Sequence, residues 1–276
     1  MKIILSITLL FFVSTKIFSQ TEDTIEGRKL LSIASAYFQT HDTANAVKYY
    51  KLSAEKNYYG GIYALGSCSY NAIGMPKNDS LAKEYFMIVA NKTYKNVPEE
   101  LYYSQTYLAF LSATCQERYN WDFKASESNY TPAQIDIAYM YLAEGCLGKA
   151  DTTKAIEWYS KAAKNKDFKS AYFIAKKYTQ DYLDDGAKNN GLRKRAYLWQ
   201  IISNEFKDDF MRNGGTLNFI DMLDTRRYQS RLQTELSKKE IATLKKDAEL
   251  FIGQPLKKYE SMVAGPMEIY PQNIPK

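Results

Sequence analysis

The chain has 276 residues, 45% of them hydrophobic and 25% charged, which is long and apolar enough to bury a sizeable core. Its net charge of +6 is mild for this length and does not point to nucleic acid. A single histidine and three scattered cysteines exclude a metal centre built from those side chains.

The chain opens on MKIILSITLLFFVSTKIFSQ. One lysine precedes an apolar run from Ile3 to Val13, and a polar stretch follows to Ser19, the pattern of a secretory signal peptide over residues 1–19. The run is shorter than the roughly 20 apolar residues that span a bilayer. No cysteine follows it to take a lipid anchor, and no later segment has the composition of a membrane span. Without Lys2 and Lys16 the 37 basic residues become 35 against 31 acidic ones, a net charge of +4. The expectation is an exported protein, periplasmic or extracellular, with neither a membrane span after cleavage nor a nucleic-acid partner.

Three later stretches repeat one pattern: DTANAVKYYKLSA from Asp42, NDSLAKEYFMIVA from Asn78 and DTTKAIEWYSKAA from Asp151. Each starts with a residue able to cap a helix. Small or aromatic residues then recur at matching places: Ala46, Tyr49, Tyr50, Ser53, Ala54; Ala82, Tyr85, Phe86, Val89, Ala90; and Ala155, Trp158, Tyr159, Ala162, Ala163. The i, i+3, i+4, i+7, i+8 spacing is one face of an α-helix. The second copy starts 36 residues after the first and the third 73 after that, about two periods. Upstream of each such helix a large apolar residue precedes a small one, as Ile33-Ala34, Leu65-Gly66, Ile137-Ala138 and Ile174-Ala175. A tyrosine follows at Tyr37, Tyr70, Tyr141 and Tyr178. The small residue lets two helices approach, and the tyrosine buries a ring while its hydroxyl stays wet. Gly74 and Pro76 end the first helix of one unit, and Asn78 opens the next.

The stretch from Leu65 carries Gly66, Tyr70, Gly74, Pro76, Asn78, Ala82, Tyr85, Phe86 and Ala90 without a gap, and resembles a Sel1-like repeat, a relative of the tetratricopeptide repeat. The stretch from Asp151 adds Lys154, Ala155, Glu157, Trp158, Tyr159, Lys161, Ala162 and Ala163. The resemblance implies an all-α fold, a right-handed α-solenoid of stacked helix–turn–helix units, over residues 28–206 in about five units. It also implies interaction surfaces in place of catalysis. Residues 95–131 should hold a degenerate unit, with a helix through Leu101–Cys115 and no recognisable partner helix. A further unit begins near Ile174 and resumes at Ala196-Tyr197-Leu198-Trp199 after a long loop at 184–195.

Little else points to chemistry. His41 lies in the turn QTHDTA before the capping Asp42; a general base is the alternative to a turn residue there. No Gly-x-Ser-x-Gly elbow, phosphate loop or dinucleotide fingerprint occurs. Cys115 and Cys146 fall near the ends of candidate first helices in successive units. A disulfide between them that leaves Cys68 over stands beside the alternative of three thiols. Basic residues gather late, from Arg226, Arg227 and Arg231 through Lys238, Lys239, Lys245 and Lys246 to Lys257 and Lys258, interleaved with acids. They read as a solvated helix face, or as a surface for an acidic glycan. Residues 207–253 should cap the stack, since Ser237 and Glu240 form a capping box ahead of an apolar stripe. Residues 254–276, with four prolines, read as an extended tail.

The resulting expectation is a non-enzymatic exported scaffold that needs no cofactor or metal and binds a protein or peptide. An envelope polysaccharide is the alternative ligand, and an envelope hydrolase the remotest reading. The irregular segments 95–131 and 184–195 are the favoured contact regions; individual binding residues are not readable from the sequence.

Overall fold

The computed structural model describes residues 24–216 and 231–257, and among these there is helix and no strand. The leader of residues 1–19, Arg226, Arg227 and the tail beyond Lys257 lie outside the described residues. Two compact units divide the chain, Met1–Lys161 and Ala162–Lys276.

In the first unit, α1 (residues 24–39) and α2 (Thr43–Glu55) are followed by α3 (Tyr59–Asn71), α4 (Asp79–Ala90) and α5 (Glu99–Phe110). Then come α6 (Cys115–Glu127), α7 (Thr131–Leu142) and most of α8 (Thr152–Lys164). From α2 to α7 each helix packs on its sequence neighbour, and the alternate helices α3 and α5 also meet. Helix pairs stack because the second helices α2, α4 and α8 turn a small and aromatic stripe inward. Ala46, Tyr50, Ala82, Phe86, Ala155, Trp158 and Tyr159 are all buried. Tyr49 and Tyr85, at the edge of the same stripe, are half-buried. Gly66 shows why a small residue is required in the first helix. A Cβ there would lie 2.7 Å from the Phe86 ring, so α3 and α4 could not close. Gly74 ends its turn at φ +64°, and a Cβ there would meet the Thr43 carbonyl oxygen at 2.5 Å.

The caps fall where the repeat expects them. Asp42, Asn78 and Asp151 accept from the backbone N–H groups of Asn45, Leu81 and Lys154 at 3.2, 2.9 and 3.0 Å. Thr114 does the same for Glu117 at 3.2 Å and opens α6. This corrects the reading of a helix through Leu101–Cys115. The α5 helix stops at Phe110, Thr114 starts a new one, and Cys115 is the first residue of that second helix. The partner helix of the degenerate unit therefore exists, 36 residues after the α4 cap.

In the second unit α9 (Phe168–Asp184) packs on α10 (Asn190–Arg212), and α10 on α11 (Lys238–Ile252). Phe168 stacks on Phe210 at 4.8 Å, which sets α9 and α10 antiparallel. The expected long loop at 184–195 is not a loop. Both helices extend into it, Asn189 caps α10 through the Leu192 N–H at 3.1 Å, and residues 185–189 alone connect them. The Ser237–Glu240 capping box forms on α11. Trp199 meets Phe251 edge-on at 5.1 Å, closing α11 over α10. Residues 254–257 leave α11 without helix, and the Lys257 N–H donates to the buried Glu205 carboxylate at 3.2 Å.

Candidate functional site: a tyrosine face beside a buried charge pair

Residues 95–131 depart from the repeat at the positions that other units bury. The fourth residue of the second helix is Ala46, Ala82 or Ala155 elsewhere; in α6 it is Arg118. The eighth is Tyr50, Phe86 or Tyr159 elsewhere; in α6 it is Asp122. In the first helix, the seventh residue is Leu65, Ile137 or Ile174 elsewhere and Gln105 in α5. The frame is retained while three apolar places become polar.

Asp122 is fully buried, and neither carboxylate oxygen accepts a hydrogen bond. Arg118 Nε lies 3.8 Å from it, and Arg118 Nη2 lies 3.6 Å from Asp136 of α7. Burial pushes the Asp122 carboxyl up to about 8; the Asp136 charge adds to the rise and Arg118 opposes it. Asp136 is also raised, by burial against the same opposing charge. The cluster ties α6 to α7 with Asp122 itself shielded from solvent, and a disulfide bridges Cys115 and Cys146. Cys68 remains a free, buried thiol, which burial pushes up to about 11.

The first helices α3 and α5 present tyrosines. From α3 come Tyr59, Tyr63 and Tyr70, from α5 Tyr102, Tyr103 and Tyr107, and from the connectors Tyr94 and Tyr130; all are half-buried. Their rings form chains. Tyr102 stacks on Tyr130 at 4.7 Å and meets Tyr103 at 4.9 Å; Tyr103 reaches Tyr63 at 6.0 Å, and Tyr63 reaches Tyr107 at 6.3 Å. Tyr107 stacks flat on Phe86 at 4.5 Å, which joins this surface to the core. Tyr59 and Tyr94 make a second edge-on pair at 5.3 Å. Burial is the main cause that raises the phenols of Tyr59, Tyr63, Tyr94, Tyr102, Tyr103 and Tyr130, Tyr59 and Tyr103 both to about 12. They are therefore neutral O–H groups at physiological pH. Glu99 accepts from the Tyr103 hydroxyl at 3.2 Å. The sequence showed the abundance of tyrosine but not which of them share a face, because that division depends on how α3 and α5 meet.

Other candidate positions are placed less suggestively. His41 is exposed in a left-handed turn at φ +63°, and the neighbouring Asp42 carboxylate is committed to Asn45. Arg231 pairs with Glu235 at 3.4 Å and Lys194 with Glu240 at 3.0 Å. Glu235 also accepts from the Tyr182 hydroxyl, the largest cause holding its carboxyl below the usual range. Lys238, Lys239, Lys245 and Lys246 are exposed along α11.

Comparison with known proteins agrees with this geometry. Three stretches match the Sel1 repeat, at residues 37–58, 61–86 and 131–167. The gap between the last two holds α5 and α6, where the polar exchanges lie. A solved Sel1 repeat protein from Oxalobacter formigenes is 21% identical and superposes with a TM-score of 0.55, over 81% of this chain and 87% of that one. A protective antigen of uropathogenic Escherichia coli strains, described as displaying an SLR fold, is 13% identical with a TM-score of 0.48, over 83% of this chain and 62% of that one. No curated protein matches the sequence. Three stretches of the chain thus match the Sel1 repeat, and the chain has an all-α fold of stacked helix pairs.

Proposed function

We propose that this chain is an exported, non-enzymatic scaffold that captures a protein or peptide on the tyrosine face of α3 and α5. The observation that carries this reading is the run of half-buried rings, from Tyr63 through Tyr103 and Tyr102 to Tyr130, with successive centroids no more than 6.0 Å apart. Sel1 repeats serve generally as protein-interaction scaffolds. Tyrosine suits that role, because it offers a large rigid contact area and a hydrogen-bonding tip. Stacked helices hold the rings in place, so little ordering entropy is lost on binding. The Cys115–Cys146 bridge and the apolar leader both support an oxidising, exported setting.

The test is a cross-linking pull-down from the exporting cell with the full chain and with the variant Y102A/Y130A. Loss of a partner in the variant, with its helix content intact, supports the reading. Equal capture by both proteins refutes it. A second reading, binding of an acidic envelope glycan, rests on the four exposed lysines of α11. Sedimentation with purified envelope polysaccharide that salt abolishes would favour it.

A further inference from the structure

We infer that α10 and α11 form a second peptide-binding site, one that takes an extended segment bearing a lysine and is filled in this structure by the chain's own residues 254–257. It is independent of the tyrosine face, which belongs to the other compact unit. Gly253 ends α11 at φ +75°, its N–H donating to the Glu249 carbonyl oxygen at 2.8 Å, and Pro255 bars a further turn. Gln254, before the proline, is driven toward extended backbone. Gln254, Pro255 and Lys257 are exposed and Leu256 is half-buried, so the segment lies across the surface. The Leu256 N–H donates to the Glu249 carboxylate of α11 at 3.2 Å. The next N–H, of Lys257, donates to both carboxylate oxygens of Glu205 on α10, each at 3.2 Å. Consecutive amides thus go to different helices, which sets the segment between them.

Glu205 makes this a site and not a chance contact. It is 1% exposed, and among the described residues its carboxylate accepts from the Lys257 N–H alone. A buried carboxylate without a donor is costly. The helix pair therefore carries a buried acceptor that a docked backbone satisfies, and every peptide can offer a backbone N–H. The lysine side chain adds selectivity. Lys257 Nζ donates to the Glu205 carbonyl oxygen at 3.1 Å and lies 3.7 Å from Asp209, which Arg212 shares. A cation there forms charge-assisted hydrogen bonds, whereas an acidic side chain would meet Glu205, Asp209 and Glu249. The resident segment is tethered, with an effective concentration on the order of millimolar. It therefore excludes a free peptide present at lower concentration, and the site opens to a partner that binds more tightly than the tether allows.

The test is fluorescence anisotropy of the labelled peptide GQPLKK, the sequence from Gly253, against the full chain and against full-length Lys257→Pro, which removes the N–H and the ammonium together. The variant should bind the peptide at least about tenfold more tightly than the wild type, whose own segment competes. Glu205→Gln added to Lys257→Pro should abolish that gain, and the peptide GQPLEK should bind neither chain. Equal affinity for wild type and Lys257→Pro, equal affinity for the two peptides, or a gain that survives Glu205→Gln overturns the proposal. Amide hydrogen exchange of the wild type, followed by NMR, tests it without a variant that must fold. The Lys257 amide should be protected, and GQPLKK at about 10 mM should release it while GQPLEK does not. An unprotected amide, or one that GQPLKK leaves protected, overturns the proposal.

Discussion

Arg118 and Asp122 replace an alanine and an aromatic residue that other copies of the repeat bury, and the exchange is a matched one. A lone charge at either place would be left uncompensated in the core; the two together, with Asp136, partly offset one another. Measured above pH 8, where Asp122 has lost its proton, removal of Arg118 alone, as R118A, should cost about 3 kcal/mol by leaving two carboxylates without a cation. Restoring the repeat's own residue types, as R118A/D122Y, should recover that loss and equal or exceed the wild type by about 1–4 kcal/mol; denaturant unfolding of the three proteins measures both. The pair also makes stability depend on pH. In the folded chain Asp122 titrates near 8, well above its ordinary 3.8. The folded state therefore holds an extra proton across that interval, and this group's contribution falls as pH rises from about 4 to about 8. Asn at 122 has no proton to lose. The melting temperature of Asp122→Asn should match the wild type near pH 4, rise above it progressively to pH 8, and then keep a constant lead. A difference that does not change with pH would contradict the buried assignment.

At the scale of the helix, the frame is a cap every 36 or 37 residues: Asp42, Asn78, Thr114, Asp151. Three of the four were legible in the sequence because an apolar stripe follows them. Thr114 was not, because its stripe is interrupted by Arg118 and Asp122 at the two diagnostic places. Another signal does survive there. EKNY at Glu55–Tyr58 returns as ESNY at Glu127–Tyr130, and both form the same tight connector, with Asn57 and Asn129 in the left-handed region at φ 54° and 58°. Lys166 takes that conformation in the next such connector, at φ 64°, where a side chain is disfavoured. Lys166→Gly should stabilise the chain by about 0.5–1 kcal/mol, read from its denaturation midpoint; destabilisation would mean that the connector is misplaced. The segment 184–195 misled in the opposite sense. Its glycines and asparagines suggest a loop, but Asn189 is a cap, and Gly191 lies in the first turn of α10. The disulfide is the other element-scale feature that the sequence left open. Cys115 and Cys146, 31 residues apart, come within 5.3 Å at Cα only because α6 and α7 pack antiparallel. Reduction by added thiol, or Cys115→Ser in non-reducing buffer, should lower unfolding free energy by about 3 kcal/mol and leave the helix content unchanged.

For the molecule as a whole, the sequence disclosed the repeating helix pairs, but not the proposed binding surface. That surface consists of rings separated by up to 71 positions, Tyr59 to Tyr130, and it forms only when first helices of successive units lie side by side. Part of it lies on α5, the first helix of the unit whose second helix buries Asp122. The most direct test of this account places a photo-cross-linking amino acid at Tyr102, on the first-helix face, and in a second protein at Lys83, exposed on α4. Both are expressed in the exporting cell and irradiated. Partner adducts should form from position 102 and not from 83; adducts from 83 instead, or none from 102, would contradict the account.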